Sequence, residues 1–399
     1  MKGKFFIPAL LILFVFACDE KEISDIQAEQ FVKFYKNYSD FSAADVTETS
    51  TGYAFIGTSK LDDETTRICL IRTDEFGNSI DSVKYYSRVV GDQTYNDRAF
   101  CLKNTSDGGF AILGSSRNPL TNKQDVHFIR TDQKGNRLWS HVFSTTANLE
   151  ARHFEINDAG SFIITGYSQE SDNIKRIWLA ALDNNGNLLW TPKVLSQYAP
   201  RDAIGQYIQV LSDGDFVITG TSKNNPTNPG IPNVFVMKTT DQGAVNDQYY
   251  LSSNIDEEGN CIRVLDDDHF LVLSTVKTAT GTNIALNAVS FAAFPHNVDW
   301  RKTYGDNGKN TGCSLYKAGN SIYILGTSGT AASNSAICLI TADASGNQKS
   351  RSDFGIASEL TAMSFRPVSN GGFIVLGTAH HSDRNTAVAL IKVGPEASF

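Results

Sequence analysis

Asp107–Trp139 reads DGGFAILGSSRNPLTNKQDVHFIRTDQKGNRLW. The stretch divides into two runs of strand-like polarity, a turn rich in Asp, Gly and Asn, and the opening of a third run. The same succession recurs along the 399-residue chain. GYAFIGTSK…RICLIRTDEFGNSI occupies Gly52–Ile80, GSFIITGYSQ…IWLAALDNNGNLLW Gly160–Trp190, and GDFVITGTSK…VFVMKTTDQGAV Gly214–Val245. NSIYILGTSG…AICLITADASGNQ lies at Asn320–Gln348 and GGFIVLGTAH…AVALIKV at Gly371–Val393, with a degenerate unit at Asp268–Trp300. The Gly closing the second strand of each unit falls at Gly57, Gly114, Gly166, Gly220, Gly326 and Gly377, with Ser274 in its place in the degenerate unit. Seven units of about 53 residues mean a propeller or a solenoid.

Within a unit the period is two rather than 3.6, which selects strands. Unit 3 is expected to place strands over His153–Asn157, Ser161–Tyr167, Ile177–Asp183 and Leu188–Val194, joined by tight Asp/Asn/Gly turns. Four antiparallel strands per unit make one propeller blade. The expected fold class is all-β, a seven-bladed β-propeller of four-stranded antiparallel blades filling residues 31–399 as a single domain. The seventh unit holds strands at Leu360–Pro367, Phe373–Thr378 and Ala387–Val393 and has no fourth. Phe31-Val32-Lys33-Phe34-Tyr35 has the aromatic spacing of Trp139…Phe143 and Trp300…Tyr304. Phe31–Tyr38 is therefore expected to complete the last blade and close the ring.

Composition agrees with a folded β protein. Charged residues are 20%, hydrophobic residues 41% and aromatics 11%, ordinary values for a globular chain. A net charge of −8 gives no support to nucleic-acid binding. Met1–Ala17 reads as a signal peptide: Lys2 and Lys4 precede an apolar run at Phe5–Ala17 that is too short to span a bilayer. Val15-Phe16-Ala17-Cys18 resembles a lipobox with Cys18 as the lipid acceptor, which would anchor the mature protein to a membrane. Residues 18–30 then form an acidic tether. Its Asp19-Glu20-Lys21-Glu22 cluster resembles the export signal of surface-exposed lipoproteins of Bacteroidota-type bacteria, and is also a solvated charged linker.

Asp-x-x-Gly-Asn recurs at Asp74–Asn78, Asp132–Asn136, Asp183–Asn187 and Asp343–Asn347. Each copy supplies one carboxylate where a calcium loop concentrates several, so these are read as hairpin turns whose Gly takes a positive φ. Asp266-Asp267-Asp268 is read as another turn. Cys101, Cys261 and Cys313 each stand 13 residues before their unit's anchor, one station on the innermost strand, which His153 and Tyr207 share. Cys69 and Cys338 lie in third strands. Buried, unbonded thiols are expected, with Cys261–Cys313 the one pairing between adjoining blades. No zinc or nucleophile motif appears, and no metal, cofactor or catalytic residue is assigned. Trp139, Trp190 and Trp300 open fourth strands and are read as packing between blades.

Loops joining strands two to three, and blade to blade, vary in length and sequence, and antiparallel geometry puts both sets on one rim. They include Arg88–Arg98, Ser116–Lys123, Ser196–Gln206, Lys223–Pro232 and Gly305–Gly312. Variable loops on a rigid scaffold are where binding resides. Arg88, Tyr95, Asp97, Arg98, Arg152, Tyr198, Arg201 and Asp202 are the candidate rim residues, with His153 and Tyr207 beside the channel.

The units resemble a broad group of bacterial and archaeal secreted propellers built on Asp-Gly-Gly…Gly-Thr/Ser…Asp-x-x-Gly-Asn-x-x-Trp repeats. Unit 5 departs from that pattern at Ser274 and around Ala293–Asn297, and an irregular blade is expected there. The resemblance implies an outer-membrane, surface-facing lipoprotein acting as a binding or interaction module, an accessory subunit beside a transport or secretion complex. The alternative is a carbohydrate-binding protein or a propeller glycoside hydrolase or lyase.

Overall fold

The computed structural model describes residues 30–36, 40–61, 65–195, 201–251, 254–329, 335–355, 359–381 and 385–395. The signal peptide, Cys18, the acidic cluster and Tyr38 lie outside these residues. Among the described residues every regular element is a strand.

Blade 1 is built from Asp40–Thr49, Gly52–Lys60, Thr66–Asp74 and Lys84–Tyr86. Blade 2 uses Asn96–Asn104, Phe110–Arg117, Gln124–Thr131 and Arg137–Phe143, and blade 3 Asn148–Ile156, Phe162–Gln169, Lys175–Leu182 and Lys193–Val194. Blade 4 runs through Ala203–Val210, Phe216–Ser222, Asn233–Thr239 and Val245–Tyr250. Blade 5 holds Glu257–Asp266, His269–Lys277, Thr282–Ser290 and Asn297–Tyr304, and blade 6 Thr311–Ala318, Ser321–Gly329, Ser335–Asp343 and Gln348–Phe354. Blade 7 takes Glu359–Pro367, Phe373–His380 and Thr386–Val393, and its outer strand is Phe31–Tyr35. That strand runs antiparallel to the last, Phe31 opposite Lys392 and Tyr35 opposite Val388. Asp40–Thr49 packs in turn on Glu359–Pro367 and Phe373–His380. The core lies between sheets: Phe41, Val46 and Phe55 of blade 1 are buried against Ile374, Leu376 and Val388 of blade 7.

Each inner strand carries a β-bulge, marked by a register shift opposite the anchor: Ala43/Asp45, Ala99/Cys101, Ala151/His153, Gly205/Tyr207, Gly259/Cys261, Gly312/Ser314 and Ala362/Ser364. The bulge presses the inner backbone onto the anchor position. A Cβ on Gly166 would sit 2.1 Å from the Glu150 carbonyl oxygen, and one on Gly220 1.9 Å from that of Ile204. The anchor glycines therefore mark close approach of two strands.

The residue after the anchor joins blade to blade. Thr58, Thr221, Thr275, Thr327 and Thr378 each accept, on Oγ1, the backbone N–H of Ala99, Gly259, Gly312, Ala362 and Ala43 on the next inner strand, at 2.9–3.2 Å. The last of these spans blades 7 and 1. At the outer edge, the Asp-x-x-Gly-Asn turns dock on aromatics of the preceding blade. Gly186 faces the Trp139 ring, Gly346 the Trp300 ring and Gly77 the Phe31 ring, each close enough to exclude a side chain. Tyr35, Tyr86 and Tyr304 donate their hydroxyls to the carbonyls of Gly77, Gly135 and Gly346. The turn aspartates are occupied locally: Asp132 Oδ1 accepts from the N–H groups of Lys134 and Asn136, and Oδ2 from the Asn136 amide.

Three details differ from the sequence reading. The fourth strand of blade 3 is reduced to Lys193–Val194, because Pro192 has no N–H for the ladder. Blade 5 keeps all four strands, and its irregularity is confined to a second register shift, between Val264 and Asp266, and to the cis Phe294–Pro295 peptide in its last turn, with Ser274 donating to Glu257 Oε1 at 2.5 Å inside the sheet. Cys313 is the bulged residue of its strand, whereas Cys101 and Cys261 follow theirs. The first hairpin of blade 6 has one residue fewer between anchor and bulge, and a one-residue slip moves a side chain to the other face.

Thr378→Val keeps shape but leaves the Ala43 N–H buried without its acceptor. We expect a loss of about 1–3 kcal/mol in denaturant unfolding, with Thr378→Ser close to the parent.

Candidate functional site

The ends of the strands divide the disc into a turn rim and a loop rim. The long connections, Arg88–Arg98 and Lys223–Pro232 among them, all fall on the loop rim, as the alternating strand directions require. On that rim, between blades 3, 4 and 5, lies a cleft of ≈ 470 Å³. Arg152, Lys175, Asp202, Gln206, Thr221, Lys223, Glu258 and Asn260 supply its polar lining, three cations against two carboxylates. This volume is in the range of small-molecule sites.

Asp202 organises one wall. Its Oδ1 accepts the Lys175 N–H at 3.1 Å and its Oδ2 the Lys223 ammonium at 3.1 Å. Burial pushes the Asp202 carboxyl up, but these donors outweigh it and hold it below the usual carboxylate range. The opposite wall is Arg152, whose guanidinium pairs with Glu150 at 2.5 Å and lies 5.6 and 5.8 Å from the Phe100 and Tyr167 ring centres. The Lys175 ammonium stands 4.7 Å from the Tyr167 ring on the cleft side. Tyr167 is thus gripped by two cations.

Arg152, Gln206 and Asn260 also line the throat of the central channel, a smaller space of ≈ 120 Å³ directly below. These three are bulged residues of their strands, and Ala44, Phe100, Cys313 and Met363, the bulged residues of the other four blades, complete the ring. At the floor, Asp45 is buried and accepts the N–H groups of Val46 and Leu102, the Ser364 hydroxyl and the Arg366 guanidinium. Burial works against the Arg366 charge, and Asp45 more than restores it. His153 and Tyr207 stack with ring centres 3.6 Å apart. Burial, with Lys103 and Arg366 adding to it, drives the His153 pKa well down, so the ring is neutral; burial drives the Tyr207 hydroxyl well up.

Of the ten candidate binding residues, Arg152 and Asp202 meet in the cleft, and Arg152, His153 and Tyr207 in the throat. Arg88, Tyr95 and Asp97 cluster elsewhere, away from the cleft, with Asp125 and Asn118 among their partners and Asp97 Oδ1 left without a hydrogen bond. Arg88 pairs with Asp125, its N–H donates to Asp97 at 2.8 Å, and its guanidinium covers the Tyr95 ring. Asp97 is fully buried. Arg98 is exposed beside Phe100, Arg201 is exposed with its backbone held by Asn224, and Tyr198 lies outside the described residues. Lys175, Gln206, Lys223, Asn260, Asp45 and Arg366 were not picked out from sequence. Five of the seven throat-lining bulged residues could have been found by counting 14 residues back from the anchors Gly114, Gly166, Gly220, Ser274 and Gly377.

All five described cysteines are unbonded, Cys261 and Cys313 included. Burial pushes the Cys101 and Cys313 thiols up to about 12, and those of Cys261 and Cys338 to about 11. Folding thus favours the protonated thiol. For the buried Cys69, Cys101, Cys261 and Cys338 we expect negligible labelling by a maleimide at pH 8 until denaturant is added, whereas Cys313, half-buried in the throat, should label slowly in the folded protein. Stability contributed by the neutral thiols is complete below their unfolded pKa of about 8.5 and is lost progressively as pH rises from there through about 11–12, which a pH series of unfolding curves would show. Among the described residues, no group of three or more His, Cys, Asp or Glu side chains is arranged to hold a metal ion.

No family model matches the chain, and no curated protein matches it. Solved structures do. An ulvan lyase, a polysaccharide lyase solved with bound [GlcA(1-4)Rha3S], superposes with a TM-score of 0.56 at 8% identity, covering 91% of this chain and 96% of that one. The β-propeller domain of the Trilobed protease from Pyrococcus furiosus superposes with a TM-score of 0.50 at 10% identity, over 90% and 94%. The Nup133 β-propeller domain of Vanderwaltozyma polyspora aligns over 90% and 100% at 10% identity, with a TM-score of 0.47. At these identities the likeness is one of fold: the chain is a β-propeller repeat protein.

Proposed function

We propose that the chain is a lipid-anchored outer-membrane protein, exposed on the cell exterior, whose propeller is a binding module with its ligand site in the cleft of blades 3, 4 and 5. The observation that carries this reading is the cleft itself. It is concave, it lies on the loop rim, and amide, ammonium, guanidinium and carboxylate groups converge on it from three blades. Such a lining exchanges water for hydrogen bonds to a polyhydroxylated ligand, and a glycan is the class that fits it. Anchoring rests on Cys18 and the lipobox before it, and outward display on Asp19-Glu20-Lys21-Glu22.

A second reading, an accessory subunit docked on an outer-membrane protein, is favoured by one feature of the same rim. Val89 and Val90 at the tip of a hairpin and Leu120, 76% exposed, project apolar side chains to solvent. A protein partner would cover them.

The reading is tested by titrating the purified chain against oligosaccharides in a calorimeter. Gln206→Ala removes a half-buried cleft amide and should weaken glycan binding about tenfold while leaving the unfolding midpoint unchanged. Binding unaffected by Gln206→Ala would move the site elsewhere. Cys18→Ala should transfer the protein from the detergent phase to the aqueous phase on phase partitioning. An unchanged distribution would refute the lipid anchor.

A further inference from the structure

Two adjacent donors in the channel throat lack partners. His153 is 5% exposed, and its Nδ1 faces the Ile208 N–H at 3.5 Å. The neutral ring must therefore carry its proton on Nε2, and Nε2 has no hydrogen-bond partner. Arg152 Nε is likewise buried and unpartnered, although the far end of the same guanidinium pairs with Glu150. Both residues line the throat, and Arg152 also lines the cleft above. Buried donors without acceptors are rare and costly. Repetition does not explain these: the corresponding Phe100–Cys101 and Met363–Ser364 pairs of blades 2 and 7 present no such donors.

The charges around them decide what acceptor fits. Asp45, the throat carboxylate, is consumed by Arg366, Ser364 and two backbone N–H groups, so it neither accepts from His153 nor leaves a free negative charge. Glu150 is engaged unevenly: its Oε2 accepts the Gln124 amide at 2.6 Å, and its Oε1 pairs with Arg152 by charge but has no hydrogen-bond partner, so the charges of Arg152 and Glu150 offset each other at the edge of the throat. Around the remaining space stand Arg152, the Gln206 and Asn260 amides and the His153 N–H. An oxyanion would meet donors there, charge-assisted on the Arg152 side.

We propose that the throat is an oxyanion subsite: the ligand of the cleft carries a carboxylate or sulfate group that descends between Arg152 Nε and His153 Nε2. This rests on the cleft reading above and narrows its ligand class from glycans in general to acidic glycans. It assigns Arg152 and His153 as specificity-determining residues.

The test uses the full-length chain in detergent and follows the histidine ring nitrogens by NMR while sodium glucuronate, inorganic sulfate or glucose is added. The expected result is a saturable shift of the His153 Nε2 signal with glucuronate or sulfate and none with glucose. Whichever anion gives the tighter curve identifies a carboxylate or a sulfate as the natural group. Arg152→Gln should weaken the anion response at least tenfold, and His153→Gln, which restores a donor of similar reach, should retain binding of an acidic oligosaccharide better than His153→Phe. Anions that leave the His153 signal unmoved overturn the subsite. If Gln206-dependent binding of neutral oligosaccharides persists in that case, the cleft reading stands and only the subsite falls; if no oligosaccharide binds, both fall.

Discussion

A backbone N–H with nowhere to go holds this ring together. Each inner strand bulges, and a bulge frees an amide from the ladder of its own sheet. At five of the seven junctions the threonine beside the anchor on the preceding blade accepts the N–H that the bulge releases. The anchor itself is Gly, or Ser274, because the bulged strand presses against it. Bulge, small anchor and threonine are one device, which explains why Gly-Thr or Gly-Ser is the most constant phrase of the repeat. In blade 3 the threonine is replaced by Tyr167, and there the ring turns to other contacts: His153 faces the Ile208 N–H, and Tyr167 is drawn into the cleft wall. The cleft opens at the junction that follows this blade, and blade 4 supplies most of its lining.

This explains what could be read in the chain and what could not. The period, the four strands and the completion of the last blade by Phe31–Tyr35 were legible because the residues that glue blades together must repeat. Phe31 and Tyr35 perform the same two contacts as Trp300 and Tyr304, so their spacing survives across 269 residues of sequence. The cleft was only half legible. Arg152 and Asp202 could be suspected from loop position, but Lys175 and Asn260 come from strands, and nothing local distinguishes them from ordinary solvated positions. Arg88, Tyr95 and Asp97 looked like a binding set and instead pack against one another and Asp125, away from the cleft, because sequence shows which side chains share a loop but not which face each other. The station of Cys313 was misplaced by a hairpin one residue shorter than its neighbours, an error invisible to counting.

The architecture also separates the two demands on this protein. Stability comes from apolar layers between blades and from contacts near the outer edge, all of which repeat. The throat is built from the bulged residues, which by construction do not belong to the ladder. Ala44, Phe100, Arg152, Gln206, Asn260, Cys313 and Met363 have seven different side chains at one structural station. A position freed from pairing tolerates any chemistry, and the same distortion that binds the blades supplies the variable ring at the axis.

Closing a ring with a strand from the beginning of the chain fixes a direction as well as a shape. Phe31 rests on Gly77, in a turn between third and fourth strands, so the polypeptide enters the disc through the turn rim. The cleft opens on the other face. The strand that closes the ring thus joins the disc on the side away from the cleft, as a stem meets a dish behind its bowl.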